Sequence, residues 1–108
     1  MKQYTSNDRT AKLIELGFEK PKSEVRSERG PFSSDARKAY SIGELIEMLP
    51  ENIAKENEMP STLNISLMNG EWCVQYADFL GTDFEFCNTE LVDALYYMCV
   101  KLKEEGVI

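Results

Sequence analysis

The chain contains no histidine. That excludes Ser-His and Cys-His nucleophile pairs and every His-ligated metal, since each needs an imidazole. No apolar run approaches the roughly 20 residues that cross a bilayer, so no membrane contact of that kind is expected. The opening MKQYTSNDRT has no apolar stretch behind its lysine, which argues against a secretory signal. Cysteine is sparse: Cys73, Cys87 and Cys99 are odd in number, widely spaced and without a CxxC pair. A zinc site normally wants close pairs with further Cys or His ligands, so no metal site is expected, and neither is a disulfide framework. Three free thiols acting as small hydrophobes, in a cytoplasmic protein, are the expectation. The glycines stand at 17, 30, 43, 70, 81 and 106, spaced as turns or caps, so there is no phosphate loop. No helix-turn-helix or basic aromatic stripe is present either.

What is present is one domain's length of chain: 108 residues, 43% hydrophobic and 29% charged. Its charge is unevenly placed. Residues 1–39 carry nine basic and six acidic side chains, whereas residues 40–108 carry three basic and thirteen acidic. An acidic body argues against direct nucleic-acid binding, which needs clustered cations against the phosphates.

Residues 6–18, SNDRTAKLIELGF, read as a short helix capped by Ser6 or Asn7 and closed at Gly17, with Leu13 and Leu16 on one face and Phe18 packing after the cap. Residues 19–39 hold two prolines, four serines and only Val25 and Phe32 as sizeable apolar groups. They read as a long loop or arm with one short extended piece around Val25. YSIGELIEMLP then resumes structure. Ser41 and Glu44 have capping-box spacing, Tyr40 and Leu45 suit a hydrophobic staple, and Pro50 marks the stop.

Asn69-Gly70 is a preferred pair for a two-residue type I′ hairpin turn. Counting outward from Met68 opposite Glu71 places Leu67 opposite Trp72, Ile65 opposite Val74 and Leu63 opposite Tyr76. All six then share one face. Asn64, Ser66, Cys73 and Gln75 fall on the other, so one side of an antiparallel sheet should be covered. DFEFC at 83–87 alternates again and predicts a third strand, reached through a turn at Gly81. Asn88 or Thr89 caps a closing helix that ends near Gly106. Along that helix Leu91, Leu95, Met98 and Leu102 form a stripe, with Val92 and Cys99 at its margin, suited to the Trp72/Val74/Tyr76 face. Tyr96, Tyr97 and Val100 lie off that stripe. Either the first helix or Phe32 covers them, or they form an interaction patch for a partner or a second copy.

The acidic groups do not assemble into a motif. Residues 78–90, DFLGTDFEFCNTE, lack the alternating ligands and closing glutamate of a calcium loop. Asp78, Asp83, Glu85, Glu44 and Glu47 read as solvated carboxylates, and Trp72 as a core aromatic. No catalytic residue, cofactor or metal site is expected.

AKLIELGF, YSIGELIEMLP, the strand pair holding EWCVQY, and TELVDALYYMCVKLKEEGVI follow one another in this order. In this the chain resembles small single-domain proteins encoded by bacteriophages, prophages and other mobile elements. The resemblance covers most of the chain except residues 19–39. It implies context and no catalytic motif. The expectation is therefore a single α+β domain over 1–108. An antiparallel sheet of about three strands packs on one face against a long C-terminal helix, with two short helices before the sheet. The expected function is that of a non-enzymatic accessory protein of a phage or mobile element acting through protein–protein contact, with an unknown partner or by self-association. The alternative is an acidic decoy of nucleic acid that occupies a basic host protein.

Overall fold

The computed structural model describes residues 1–26, 36–55 and 58–108. Helix α1 (Asn7–Glu15) is followed by strands β1 (Ser23–Arg26) and β2 (Ala36–Ala39) and by helix α2 (Ile42–Met48). Strands β3 (Asn52–Lys55), β4 (Glu58–Met68), β5 (Glu71–Asp78) and β6 (Gly81–Asn88) come next, and helix α3 (Leu91–Glu104) closes the chain. The fold is α+β, with antiparallel sheets of two and four strands and α3 laid on one face of the larger.

The caps form where the sequence places them. Ser6 accepts from the Arg9 amide, and Ser41 and Glu44 close a reciprocal capping box. Both α1 and α3 end in Schellman motifs. Phe18 N–H donates to the Leu13 carbonyl and Gly17 N–H to that of Ile14, as Val107 and Gly106 do to Leu102 and Lys103. The start of α3 differs from expectation. Glu90 is its N-cap residue and caps with no side chain, while the Asn88 side chain accepts the Glu90 amide at 3.0 Å. Asn88 thus shapes the turn into the helix without capping it.

The register counted from Asn69-Gly70 holds at every pair, from Met68↔Glu71 to Leu63↔Tyr76. Asn69 (φ 51°) and Gly70 (φ 79°) both take the positive φ that a type I′ turn demands. Strand β6 pairs on the far side of β5, bringing Phe86 opposite Val74 and Phe84 opposite Tyr76. The larger sheet is a meander in the order β3-β4-β5-β6, four strands rather than about three. The additional strand β3 offers Ile53 as its one large apolar side chain, and its register with β4 shifts between Ile53 and Lys55. So short and irregular a strand has no alternation to read.

The 19–39 segment is also not one long loop. Val25 lies in β1 opposite Arg37 of β2, and the two strands form the smaller sheet. The extended piece expected around Val25 is thus β1, while its partner β2, ARKA, carries no apolar alternation to read, and polar ties hold the pair. The Glu44 carboxylate accepts from the Lys22 amide at 2.9 Å, the Ser23 amide at 3.2 Å and the Ser23 hydroxyl. Phe32 lies outside the described residues.

The core is the expected stripe of α3. Leu91, Val92, Leu95, Met98, Cys99 and Leu102 are all buried, packed with Val74 and Tyr76 of the sheet, Leu13 of α1 and Leu45 of α2. Burying each large side chain of this set contributes roughly 1.5–3 kcal/mol. Trp72 packs half-buried at the margin of this core. The Tyr76 hydroxyl donates to the Pro50 carbonyl at 2.6 Å, so this deeply buried phenol is satisfied.

Candidate functional site

Tyr96 and Tyr97 of α3 are both reached by Arg9 of α1, and Val100 packs against the core. The Arg9 guanidinium lies 4.9 Å from the ring centre of Tyr96 and 5.0 Å from that of Tyr97. It also donates to the Tyr97 hydroxyl at 3.0 Å. Its other end pairs with the buried Asp93 carboxylate, which Lys2 reaches at 3.2 Å. Tyr96 and Val100 are half-buried against the core, whereas Tyr97 remains 40% exposed and stacks on Phe86 at 6.0 Å. A cation held over two rings by a buried carboxylate is a docking point for α1. Leu13 of α1 is buried in the core.

The largest exposed apolar groups lie elsewhere. Asp78 and Gly81 pair in register, so Phe79 and Leu80 form a two-residue connection between β5 and β6. Each is 90% exposed. The backbone beneath them is fixed, because the Asp78 carboxylate accepts the Leu80 amide at 2.8 Å and the Gly81 amide at 3.1 Å. Counting on from Thr62↔Ala77 brings Met59, 60% exposed, level with this tip. The sequence carried a signal here that pattern-reading passed over. The central positions of a tight turn favour Gly, Asn, Asp and Ser, so two bulky apolar residues there oppose local propensity.

The cysteines also depart from expectation. Cys73 and Cys87 are directly opposed on β5 and β6, with Cα atoms 4.1 Å apart, and are joined as a disulfide. Cys99 alone is free among the three, buried in the core, where burial pushes its thiol up to about 12. The physical reason the pairing escapes the sequence is a register shift between Tyr76 and Ala77. Counting straight back from Asp78↔Gly81 would set Cys73 against Phe86. One extra residue on β6, Asp83, moves Cys87 into place and at the same time turns Phe84 and Phe86 to the helix side. The disulfide withdraws the argument for a cytoplasmic setting from free thiols. No described helix is long and apolar enough to cross a membrane.

Glu44 and Asp83 serve structure. Glu44 is buried in part, which raises its carboxyl. Hydrogen bonds from Lys22, Ser23 and Ser41 outweigh that and hold it below its ordinary value. Asp83 takes the Ser61 hydroxyl. An open cleft of about 210 Å³ beside α2 is lined by Glu19, Lys22, Tyr40, Glu44, Glu47 and Met48. Its Tyr40 hydroxyl donates to the Glu19 carbonyl, and Glu44 is engaged as above. No catalytic pairing of titratable groups converges there among the described residues.

No family model, curated protein or solved structure matches the chain.

Proposed function

We propose that the protein is a non-enzymatic accessory protein, of the phage or mobile-element kind that its sequence resembles, and that it acts by gripping a protein partner through the β5–β6 tip. The observation that carries this reading is the pair Phe79 and Leu80, each 90% exposed on a hairpin whose backbone is pinned from below. Exposed large apolar groups on a rigid support are the usual anchors of an interface. Burying both in a partner's pocket contributes roughly 3–5 kcal/mol, and little ordering cost opposes it because the turn is already set. The acidic body around the tip suits a pocket with a basic rim and disfavours an anionic lipid surface.

Immobilised protein and an F79S/L80S variant are compared for capture of a bacterial protein at low and high salt. A single partner held through high salt by the parent and lost by the variant supports the tip. Capture that vanishes at high salt and is equal for both proteins overturns it in favour of the acidic decoy.

A further inference from the structure

Beyond that reading, and independent of it, we propose that the Cys73–Cys87 disulfide is one of two states of a metal site. Once the disulfide is reduced, the two thiolates and the Glu85 carboxylate bind one thiophilic cation of the Zn2+ type. The three ligand atoms already lie within 4.8 Å of one another. Sheet register makes this so: Cys87 opposes Cys73, and Glu85 lies two residues before Cys87, on the same face. The Glu85 carboxylate is 3.4 Å from the Cys87 sulfur. Ligands of a tetrahedral zinc ion, at about 2.3 Å for sulfur and 2.0–2.2 Å for oxygen, stand roughly 3.5–3.8 Å apart, so small side-chain rotations suffice.

The surroundings fit an open site. Cys73 is buried while Glu85 and Cys87 are exposed, which leaves a coordination position for water. Ser66 lies opposite Cys73 on β4. Its hydroxyl is buried and lacks a hydrogen-bond partner among the described residues. It sits level with the sulfur and is suited to support a thiolate there.

The chemistry closes with a dithiol reductant. It supplies two electrons and two protons, the S–S bond breaks to two thiols, and the reductant forms its own disulfide. Metal binding then releases both thiol protons to solvent as two metal–sulfur bonds form. In the reverse direction a disulfide oxidant takes two electrons from the two thiolates and is itself reduced to its dithiol as the Cys73–Cys87 bond re-forms, which removes two of the three ligands and expels the ion.

Co2+ titrated into the reduced and the oxidised protein provides the test. The reduced protein should take up one equivalent with thiolate-to-cobalt charge-transfer absorption that Zn2+ bleaches, and the oxidised protein should show none. E85Q should keep the absorption with affinity lowered about tenfold, as loss of one oxygen ligand on an exposed strand requires. The C73S/C87S double variant should lose the absorption. Should that variant fail to fold, alkylation of the reduced parent at its exposed thiol serves the same purpose. The buried Cys99 is shielded from both reagents. Reduced protein without charge-transfer absorption overturns the proposal, as does uptake that survives the double variant or alkylation. Unchanged affinity in E85Q removes Glu85 from the site.

Discussion

Glu44 joins two parts of the molecule through one carboxylate. It closes the capping box of α2 with Ser41 and holds the start of β1 through Lys22 and Ser23. Because its folded carboxyl lies below the ordinary value of 4.5, its stabilisation is complete above that value and is lost as pH falls through the lower folded one. E44Q should therefore unfold more readily than the parent at neutral pH, by about 1–3 kcal/mol for hydrogen bonds to a charged acceptor. The two proteins should converge in acid, as urea unfolding at a series of pH values will show. Asp93 is the second such residue. R9A strips a buried carboxylate of its closer cation and both tyrosines of theirs, leaving Lys2 in partial compensation. A loss of about 2 kcal/mol is expected in the same measurement. The capping half of Glu44 is legible from S-x-x-E spacing. Its grip on β1 and the Arg9–Asp93 pair are not, because no periodicity links positions 21 or 84 residues apart.

At the scale of elements, local rules succeed where a local signal exists. The I′ turn, its register, both Schellman ends and the α3 stripe all follow from spacing alone. Gly70 has open space around it, so G70A meets no clash and its cost is that of the backbone, about 1–2 kcal/mol for a left-handed residue with a Cβ. Chemical denaturation will check this value. Hidden elements are those held by something other than alternation: β3 with one large apolar side chain, and β2, whose partner β1 is tied by Glu44. The bulge at Asp83 is the instructive case. A single inserted residue, invisible in the pattern, decides which residue faces Cys73 and therefore whether a disulfide can form at all. That bridge closes a loop across a sequence separation of 14 residues. Reduction should lower unfolding stability by up to about 3 kcal/mol on a chain-entropy basis, read from urea midpoints with and without reductant.

Across the whole molecule, the two faces of the larger sheet differ in what covers them. One face of the larger sheet is covered over β5 and β6 by α3 with help from α1 and α2, while Leu67 on that side of β4 stays 58% exposed, and the opposite face carries Glu85, Cys87 and Asn64 in the open. The two most exposed apolar side chains, Phe79 and Leu80, stand at the end of the β5–β6 hairpin, while Leu67 and Met68 lie exposed at the β4–β5 turn. Of the off-stripe residues of α3, Tyr96 lies under the Arg9 guanidinium and Val100 packs half-buried against the core. F79S/L80S should accordingly leave stability within about 0.5 kcal/mol of the parent, since surface changes away from caps and cores seldom do more. A thermal scan distinguishes this from a hidden core role. The contact itself is tested most directly by placing a photo-crosslinking phenylalanine analogue at position 79 and, in a second protein, at position 97. A defined crosslinked partner from position 79, and none from position 97, is the predicted result. Crosslinks from position 97 with none from position 79 would move the interface to α3 and contradict the assignment of the hairpin tip.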